Sequence, residues 1–231
     1  MRLPPLTEGR LIKRYKRFLA DVELASGTVT TVHCPNPGSL MGLKAPGMRV
    51  WMSTSDNPKR KLPMTLELLE ADGGLVSINT NNPNKLAEEA IRSGTIEELS
   101  AFDTLWREVP YGGRSRIDIL LETSTARAYV EVKNCHLMRT PGLTEFPDSV
   151  TARGAKHLRD LMAERQAGHR AVMLFIIQRM DCDIFATAPD LDRVYHETFY
   201  EAAEAGVEIL CYDCHIGLEE IYVRRRIPWR R

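Results

Sequence analysis

The runs Ser115-Arg-Ile-Asp-Ile-Leu-Leu121 and Tyr129-Val-Glu-Val-Lys133 each alternate in the way that β-strands do. The polar segment between them is long enough for a hairpin loop. Residues two apart on a strand share a face, so Glu131 and Lys133 point the same way. Pairing of the two strands would bring Asp118 onto that face. The sequence therefore predicts two carboxylates and one amine that converge on strands buried by a core.

Buried charges are costly unless they are paired or bind a metal ion. Two hard carboxylate oxygens suit Mg²⁺ or Mn²⁺, so we predict that Asp118 and Glu131 are metal ligands and catalytic residues. Lys133 could act as the third catalytic residue by orienting a water or stabilising charge on a phosphate. The pattern of Asp, a gap and Glu-x-Lys resembles the core motif of PD-(D/E)XK nucleases. A charged strand edge or a surface ion pair would give the same local spacing.

The two carboxylates should repel each other, and Lys133 neutralises only part of their charge. We therefore expect a divalent ion to stabilise the fold. In the absence of the ion, Asp118→Asn and Glu131→Gln should both raise the melting temperature, because each substitution removes one repelling charge.

The charge of the chain is balanced overall but unevenly distributed. Its 231 residues include 31 basic and 31 acidic side chains. Residues 1–80 hold 11 Lys or Arg against 7 Asp or Glu, and the tail from Arg224 adds five arginines. Local basic clusters favour contact with a polyanion, although chance clustering of surface charge is the alternative for any one of them.

The sequence lacks an apolar run long enough to cross a membrane and lacks the hydrophobic region of a signal peptide. We therefore expect a cytoplasmic protein with no membrane partner. Five cysteines cannot all pair within one chain, so free thiols are expected. Cys211-Tyr-Asp-Cys214-His215 matches the C-x-x-C-H pattern of haem attachment and half of a zinc site, but ordinary cysteines at a strand end are the favoured interpretation.

Residues 1–80 are predicted to form a small β-barrel. Strand-like spacing covers 11–24 and 28–33, and shorter strand candidates follow up to Ile78, separated by turn signals such as Asp72-Gly73-Gly74. About five short strands with turns between them favour an OB-like barrel over an SH3-like one.

The first strand of this barrel is strongly basic, and aromatic residues lie among its charges. Basic side chains for phosphates and aromatics for stacking are typical of surfaces that bind single-stranded nucleic acid. Tyr15 and Phe18 could instead belong to the core, which is the favoured interpretation for Phe18. The predicted nucleic-acid-binding residues of the barrel are Arg10, Lys13, Arg14, Lys16, Arg17, Lys59, Arg60 and Lys61.

Residues 81–231 are predicted to form an α/β domain. A short amphipathic helix begins at Pro83 and ends before Gly94, and Glu88 and Glu89 flank its apolar stripe equally. Three strands follow, then a loop over 138–148. The remaining predicted elements are a helix over 151–166, a strand buried on both faces over 171–177, a helix over 191–205 and strands over 207–212 and 221–223. This order matches the common core of PD-(D/E)XK nucleases, with Asp118 and Glu131 on the second and third strands.

Several motifs together make the resemblance more specific. The chain is similar, over almost its full length, to the sugar fermentation stimulation protein A family. The motifs that carry this resemblance are His33-Cys-Pro-Asn36-Pro-Gly38, Ser115-Arg-Ile-Asp118, Tyr129-Val-Glu131-Val-Lys133-Asn134, Phe146-Pro-Asp148 and Thr151-Ala-Arg153-Gly154-Ala-Lys156-His157-Leu158. The segment 36–40 departs from a more usual Asn-Thr-Gly followed soon by Met.

The resemblance implies an N-terminal OB-fold joined to a PD-(D/E)XK-like domain. It also implies a DNA-binding protein linked to the regulation of sugar (maltose) metabolism. In the helix after the linker, the family's acid precedes an alanine, which matches Glu89 and makes it the implied third metal ligand.

Arg153, Lys156 and His157 share one face of the predicted helix over 151–166. That face could contact phosphates near the metal site, and we predict that these three residues bind nucleic acid. The alternative is a solvated face with Asp160 and Glu164 as partners within the helix. Gln178 and the residues after it are predicted only to support the site.

Two functions of different classes remain. The first is DNA binding that is largely independent of sequence, with single-stranded DNA as one expected form and a nuclease fold that has become vestigial or is rarely active. The second is a Mg²⁺-dependent nuclease acting on DNA or RNA. The sequence analysis favours binding as the primary activity, with an intact nuclease-type set of Asp118, Glu131 and Lys133.

Overall fold

The computed structural model describes residues 1–111 and 115–230; Arg231, the last of the tail arginines, lies outside them. The first part of the chain is a β-barrel. Its strands are β1 (Leu6–Tyr15), β2 (Leu19–Leu24), β3 (Val29–His33), β4 (Arg49–Thr54), β5 (Met64–Ala71) and β6 (Gly74–Ser77).

The barrel closes by pairing β3 with β5. The strand order is β3-β2-β1-β4-β5-β6, and β3 meets β5 in parallel at His33 and Thr65. Apolar side chains from alternating positions, such as Leu11, Val22 and Val50, fill the interior. The prediction of an OB-like barrel of about five strands is confirmed: β1 to β5 form the closed barrel, and β6 pairs with β5 beside it.

One part of the strand assignment is wrong. The run 11–24 is not continuous, because Lys16 and Arg17 adopt positive φ angles of 48° and 62° and form a tight turn between β1 and β2. Phe18 follows this turn and is 47 % exposed, so it does not belong to the core. Alternation alone missed the turn because the residues that form it carry no Gly, Pro or Asn signal.

The second part is a mixed α/β domain. Its elements are α1 (Pro83–Arg92), a short 3-10 turn (Glu97–Leu99), β7 (Thr104–Tyr111), β8 (Ser115–Glu122), β9 (Arg127–Cys135), β10 (Leu137–Thr140), β11 (Gly142–Phe146), α2 (Ala152–Gln166), β12 (Arg170–Ile177), β13 (Cys182–Thr187), α3 (Arg193–Glu204), β14 (Glu208–Ile216) and β15 (Ile221–Arg226).

A large sheet of order β15-β14-β12-β9-β8-β7 divides this domain into two cores. Strands β9, β12 and β14 run parallel to one another. The helix α1 packs on one face of the sheet, whereas α2 and α3 pack on the other. Because both faces are covered, every residue of β12 after Arg170 is buried, as its apolar run predicts.

The predicted loop over 138–148 is wrong. Strands β10 and β11 form a hairpin there, and β11 pairs in parallel with β13, which the sequence analysis also missed. Pro141 and Gly142 make the hairpin turn, with Gly142 at a φ of 79°. Strands of four to six residues are too short to show a clear period.

The cysteines are all free and buried. Cys211 and Cys214 lie within β14, so ordinary strand cysteines are confirmed for the C-x-x-C-H segment. Among the described helices, none is both long and apolar enough to cross a membrane.

Candidate functional site

The site begins where β8 and β9 separate. Their pairing ends at Ile119 and Val130, so past that point β9 is paired only with β12 on its other side. The Asp118 carboxylate occupies the gap and accepts a hydrogen bond from the Val132 backbone N–H at 2.8 Å. Its other oxygen accepts one from the Asn84 side-chain amide, also at 2.8 Å, at the start of α1. Because the strands separate here, the Asp118 side chain takes the place of a backbone partner for β9 and is fixed by hydrogen bonds from two sides.

Glu131 lies on the adjacent segment of β9, which β8 does not pair with, and its side chain is only 2 % exposed. One carboxylate oxygen, Oε1, accepts from the Lys133 ammonium at 2.5 Å and contacts Nδ1 of His157 on α2. The other oxygen, Oε2, is buried and has no hydrogen-bond partner in the described part of the chain. A buried carboxylate oxygen without a partner is uncommon and indicates a missing partner.

The two carboxyl groups differ electrostatically. The pKa of Asp118 is raised above its usual range, mainly because the carboxyl group is buried and secondly because the negative charge of Glu131 is near. Burial also acts to raise the pKa of Glu131, but the hydrogen bond with His157 and the charge of Lys133 outweigh it and lower that pKa. The sequence analysis treated the two groups alike. In the structure, Lys133 forms its ion pair with Glu131, and its charge only partly offsets the rise in the pKa of Asp118.

His157 supports Glu131 rather than facing solvent. It is 5 % exposed, and Arg153 Nε donates to its Nε2 at 3.2 Å. The Nδ1 proton is therefore available to donate to Glu131. Lys156, on the exposed side of α2, bonds Asp160 at 2.6 Å, which is the intrahelical pairing considered as the alternative.

Glu89 does not form a group with Asp118 and Glu131 in the described part of the chain, and its role as a third metal ligand stays a prediction. Its carboxylate is 58 % exposed and binds the Met1 ammonium at 2.6 Å. Glu89 lies five positions after Asn84, about 140° around the helix, so the two residues leave α1 in different directions. Over residues 1–111 and 115–230, there is no group of three His, Cys, Asp or Glu side chains that could hold a metal ion.

The basic residues of the barrel fall into two groups. Arg14 is turned inward, and its guanidinium donates to the backbone carbonyls of Asn36, Gly38 and Ser39. Lys13 lies 3.5 Å from Asp21, and Arg60 donates to Thr65. Arg10 donates to the Gly47 carbonyl. The second group consists of the predicted binding residues of the barrel whose side chains are exposed and form no ion pair or hydrogen bond within the described residues. These residues are Lys16, Arg17, Lys59 and Lys61.

An aromatic surface adjoins this second group. The ring of Phe18 stacks on that of His33, with centroids 6.5 Å apart and planes 18° apart. Lys16 and Arg17 precede Phe18 in the same turn, and all three side chains are exposed. Tyr15 does not share this surface, because its hydroxyl donates to Asp21. We call Lys16, Arg17, Phe18 and His33 the turn surface.

Sequence reasoning missed the residues that join the two domains. Asp148 accepts from the Ser39 hydroxyl and the Leu40 N–H across the domain boundary. Arg179, 1 % exposed, binds Asp72 of the barrel and Asp181, each at 2.7 Å. Asn84 was also missed, although the polar run around Pro83 marked it as a residue of the first helical turn.

Two family models match the chain. One is described as "SfsA N-terminal OB domain" and matches residues 12–78. The other is described as "Sugar fermentation stimulation protein RE domain" and matches residues 81–220.

Curated relatives and a solved structure agree with these matches. A sugar fermentation stimulation protein homolog of Maricaulis maris is 55 % identical over 221 residues, covering 95 % of this chain and 94 % of the relative. A homolog of Brucella ovis is 54 % identical over 225 residues, with coverages of 97 % and 94 %. The structure of Pyrococcus furiosus SfsA in complex with Ca²⁺ superimposes with a TM-score of 0.90 at 28 % identity, covering 100 % of this chain and 98 % of that chain.

Proposed function

Because the chain belongs to the sugar fermentation stimulation protein family, we propose that it is a DNA-binding protein whose barrel binds single-stranded DNA largely independently of the DNA sequence. The observation that carries this proposal is the turn surface, where an exposed, stacked ring lies beside two unpaired cations. Aromatic faces stack on any base, and the cations neutralise phosphates, so this combination favours single strands of any sequence. The proposed cellular role is regulatory, in sugar (maltose) metabolism.

Arginines outside the barrel give the binding test a control with matched charge. Lys16→Ala combined with Arg17→Ala should reduce the slope of log Kd against log salt concentration by about 1.4, because each contact with single-stranded phosphate contributes about 0.7. Arg165→Ala combined with Arg193→Ala removes the same charge from α2 and α3 and should leave the slope unchanged. A slope that changes equally in both pairs would indicate a general charge effect and would refute the turn surface.

A second function, metal-dependent phosphodiester hydrolysis, is favoured by the unpartnered oxygen of Glu131. Asp118 and Glu131 would hold Mg²⁺ or Mn²⁺, and the oxygen-only donor set fits these hard cations. A relative of the same fold was solved with Ca²⁺, which also prefers carboxylate oxygens. The ion would supply Lewis-acid stabilisation of charge on phosphate oxygens.

The chain's own residues would perform the remaining roles. Val132 N–H and Asn84 orient Asp118, whereas His157 orients Glu131. The Lys133 ammonium, 14 % exposed, can reach a phosphate oxygen or position the attacking water. These roles are the ones that the resemblance of the Asp118, Glu131 and Lys133 pattern to the PD-(D/E)XK motif would assign to them.

Incubation of the pure protein with single- and double-stranded DNA and with RNA tests hydrolysis directly. Product should form with Mg²⁺ or Mn²⁺, disappear with EDTA and be absent from Asp118→Asn and Lys133→Met. Cleavage that persists in both variants would come from a contaminant or another site. Binding without cleavage under every condition would leave the DNA-binding proposal as the function.

A further inference from the structure

A cleft of about 330 Å³ lies between the barrel and the second domain, within the roughly 300–1,000 Å³ range of small-ligand pockets. Its walls include Arg17, the turn at Asn36–Gly38, Asn134, His136, Asp148 and Val150. Two of the sequence motifs that the metal centre does not use, His33–Gly38 and Phe146–Asp148, therefore meet in one place. Neither the turn surface nor the carboxylate site requires this convergence.

The barrel-side wall of the cleft is built rigidly. Arg14 fixes the carbonyls of the turn, and Asn36 closes it by accepting from the Gly38 N–H at 2.8 Å. Asp148 approaches so closely that a Cβ on Gly38 would lie 2.5 Å from its carboxylate oxygen. A shape held by this many contacts is preorganised for a ligand.

His136 presents an unused hydrogen-bond donor in this cleft. Gln178 donates to Oδ1 of Asn134 at 2.6 Å, which leaves the Asn134 amide NH₂ to donate to Nδ1 of His136 at 3.2 Å. The ring proton is therefore on Nε2. Although His136 is only 6 % exposed, its Nε2 has no hydrogen-bond partner among residues 1–111 and 115–230. The nearest carboxylate oxygen, on Asp148, is 3.9 Å away.

The position of the cleft indicates its occupant. Its lining includes both Arg17 of the turn surface and Asn134, the residue after Lys133. Val150 lines the cleft with 77 % of its surface exposed, so its apolar side chain is open to contact by a ligand. An occupant must offer an acceptor to Nε2–H, an apolar face to Val150 and a negative charge to Arg17.

We infer that this cleft binds one unpaired nucleobase of a DNA strand that runs from the turn surface to the carboxylate site. The inference rests on the proposed DNA-binding function and adds a base-binding pocket to it. The base accepts a hydrogen bond from His136 and packs on Val150, while its phosphate faces Arg17. A strand held at this point enters the carboxylate site unpaired.

The test compares two single-stranded 12-mers with equal numbers of phosphates, one of deoxythymidine and one of abasic residues. Dissociation constants are measured by fluorescence anisotropy with the full-length protein in EDTA. His136→Phe keeps the ring shape but removes the donor, and Val150→Ala removes the apolar contact at an exposed position where folding is not at risk. The matched control is Val194→Ala on α3, where the valine is 56 % exposed.

For the thymidine strand, we expect affinity to fall about tenfold in His136→Phe and about fivefold in Val150→Ala, which is within the contribution of one stacked base. Affinity for the abasic strand should stay within twofold of the parent in both variants, and Val194→Ala should match the parent on both strands. If the parent binds DNA but His136→Phe and Val150→Ala leave affinity for the thymidine strand unchanged, or lower affinity equally for both strands, the cleft is only a domain contact and this inference is overturned. If the parent binds neither strand, the proposed function fails with it.

Discussion

Substitution of the two carboxylates should change stability in opposite directions. In Glu131→Gln, the Lys133 ammonium loses its partner in a largely buried position, and the His157 bond becomes neutral. Removal of one member of a buried pair costs about 3–5 kcal/mol. Because 1 kcal/mol shifts the melting temperature of a domain this size by about 2–4 °C, we expect a decrease on the order of 10 °C.

Asp118→Asn should instead stabilise the protein that lacks metal. An asparagine can still accept from Val132 N–H, and the Asn84 amide can rotate to accept from the new NH₂ group. The substitution removes a buried charge that has no cation of its own and that Glu131 repels. We expect a gain on the order of 1 kcal/mol, or about 2–4 °C.

Addition of Mn²⁺ supplies the second half of the experiment. An ion that binds only the folded state stabilises it by about 2.7 kcal/mol at one hundred times its dissociation constant, equivalent to about 5–11 °C. The parent should show this increase, and both variants should lose most of it. Melting is followed by circular dichroism in EDTA and then with millimolar Mn²⁺.

Two results would refute this reasoning. If Mn²⁺ leaves the parent's melting curve unchanged, the carboxylates do not form a metal site. If Glu131→Gln raises the melting temperature in EDTA as Asp118→Asn does, Lys133 does not compensate Glu131, and the symmetric expectation from sequence was right.

Further predictions concern the domain junction. Gly38→Ala should lower the free energy of unfolding in urea by about 1–3 kcal/mol, because the new Cβ would meet the Asp148 carboxylate. The control Gly74→Ala, whose Cβ would have its nearest atom at 4.0 Å, should be almost neutral. Equal effects of the two substitutions would refute the close contact. Burial lowers the pKa of His136 to about 4, so the unfolded chain binds the extra proton between about pH 6.5 and pH 4. Stability should therefore fall by about 3 kcal/mol as the pH is lowered through that window, and the urea midpoint of His136→Asn should fall less; parallel pH profiles would show that the ring does not titrate this way.

The sequence alone determined most of the architecture. Alternation marked β8 and β9, the apolar run marked β12, and Pro83 and Gly94 bounded α1. These patterns arise because a helix or strand places apolar residues on the face that the core buries, and the spacing of those residues can be seen within a short segment of sequence. The spacing of Asp118, Glu131 and Lys133 was readable for the same reason.

The tertiary structure decided which partner each polar group has. Sequence could not show that Arg14 turns inward to backbone carbonyls while Arg17 stays exposed, because the turn that separates them is fixed by pairing between β1 and β2. Nor could it choose Asn84 over Glu89, since that depends on how α1 is rotated against the sheet.

The same distinction separates the two carboxylates. Their charges and spacing follow from the sequence, but a pKa depends on burial and on neighbours that can come from anywhere in the chain. Glu131 meets His157 of α2, 26 positions away, whereas Asp118 meets only neutral donors at Val132 and Asn84. Local pattern therefore specifies strands, helices and candidate charges, while contacts between distant segments determine the chemistry those charges can perform.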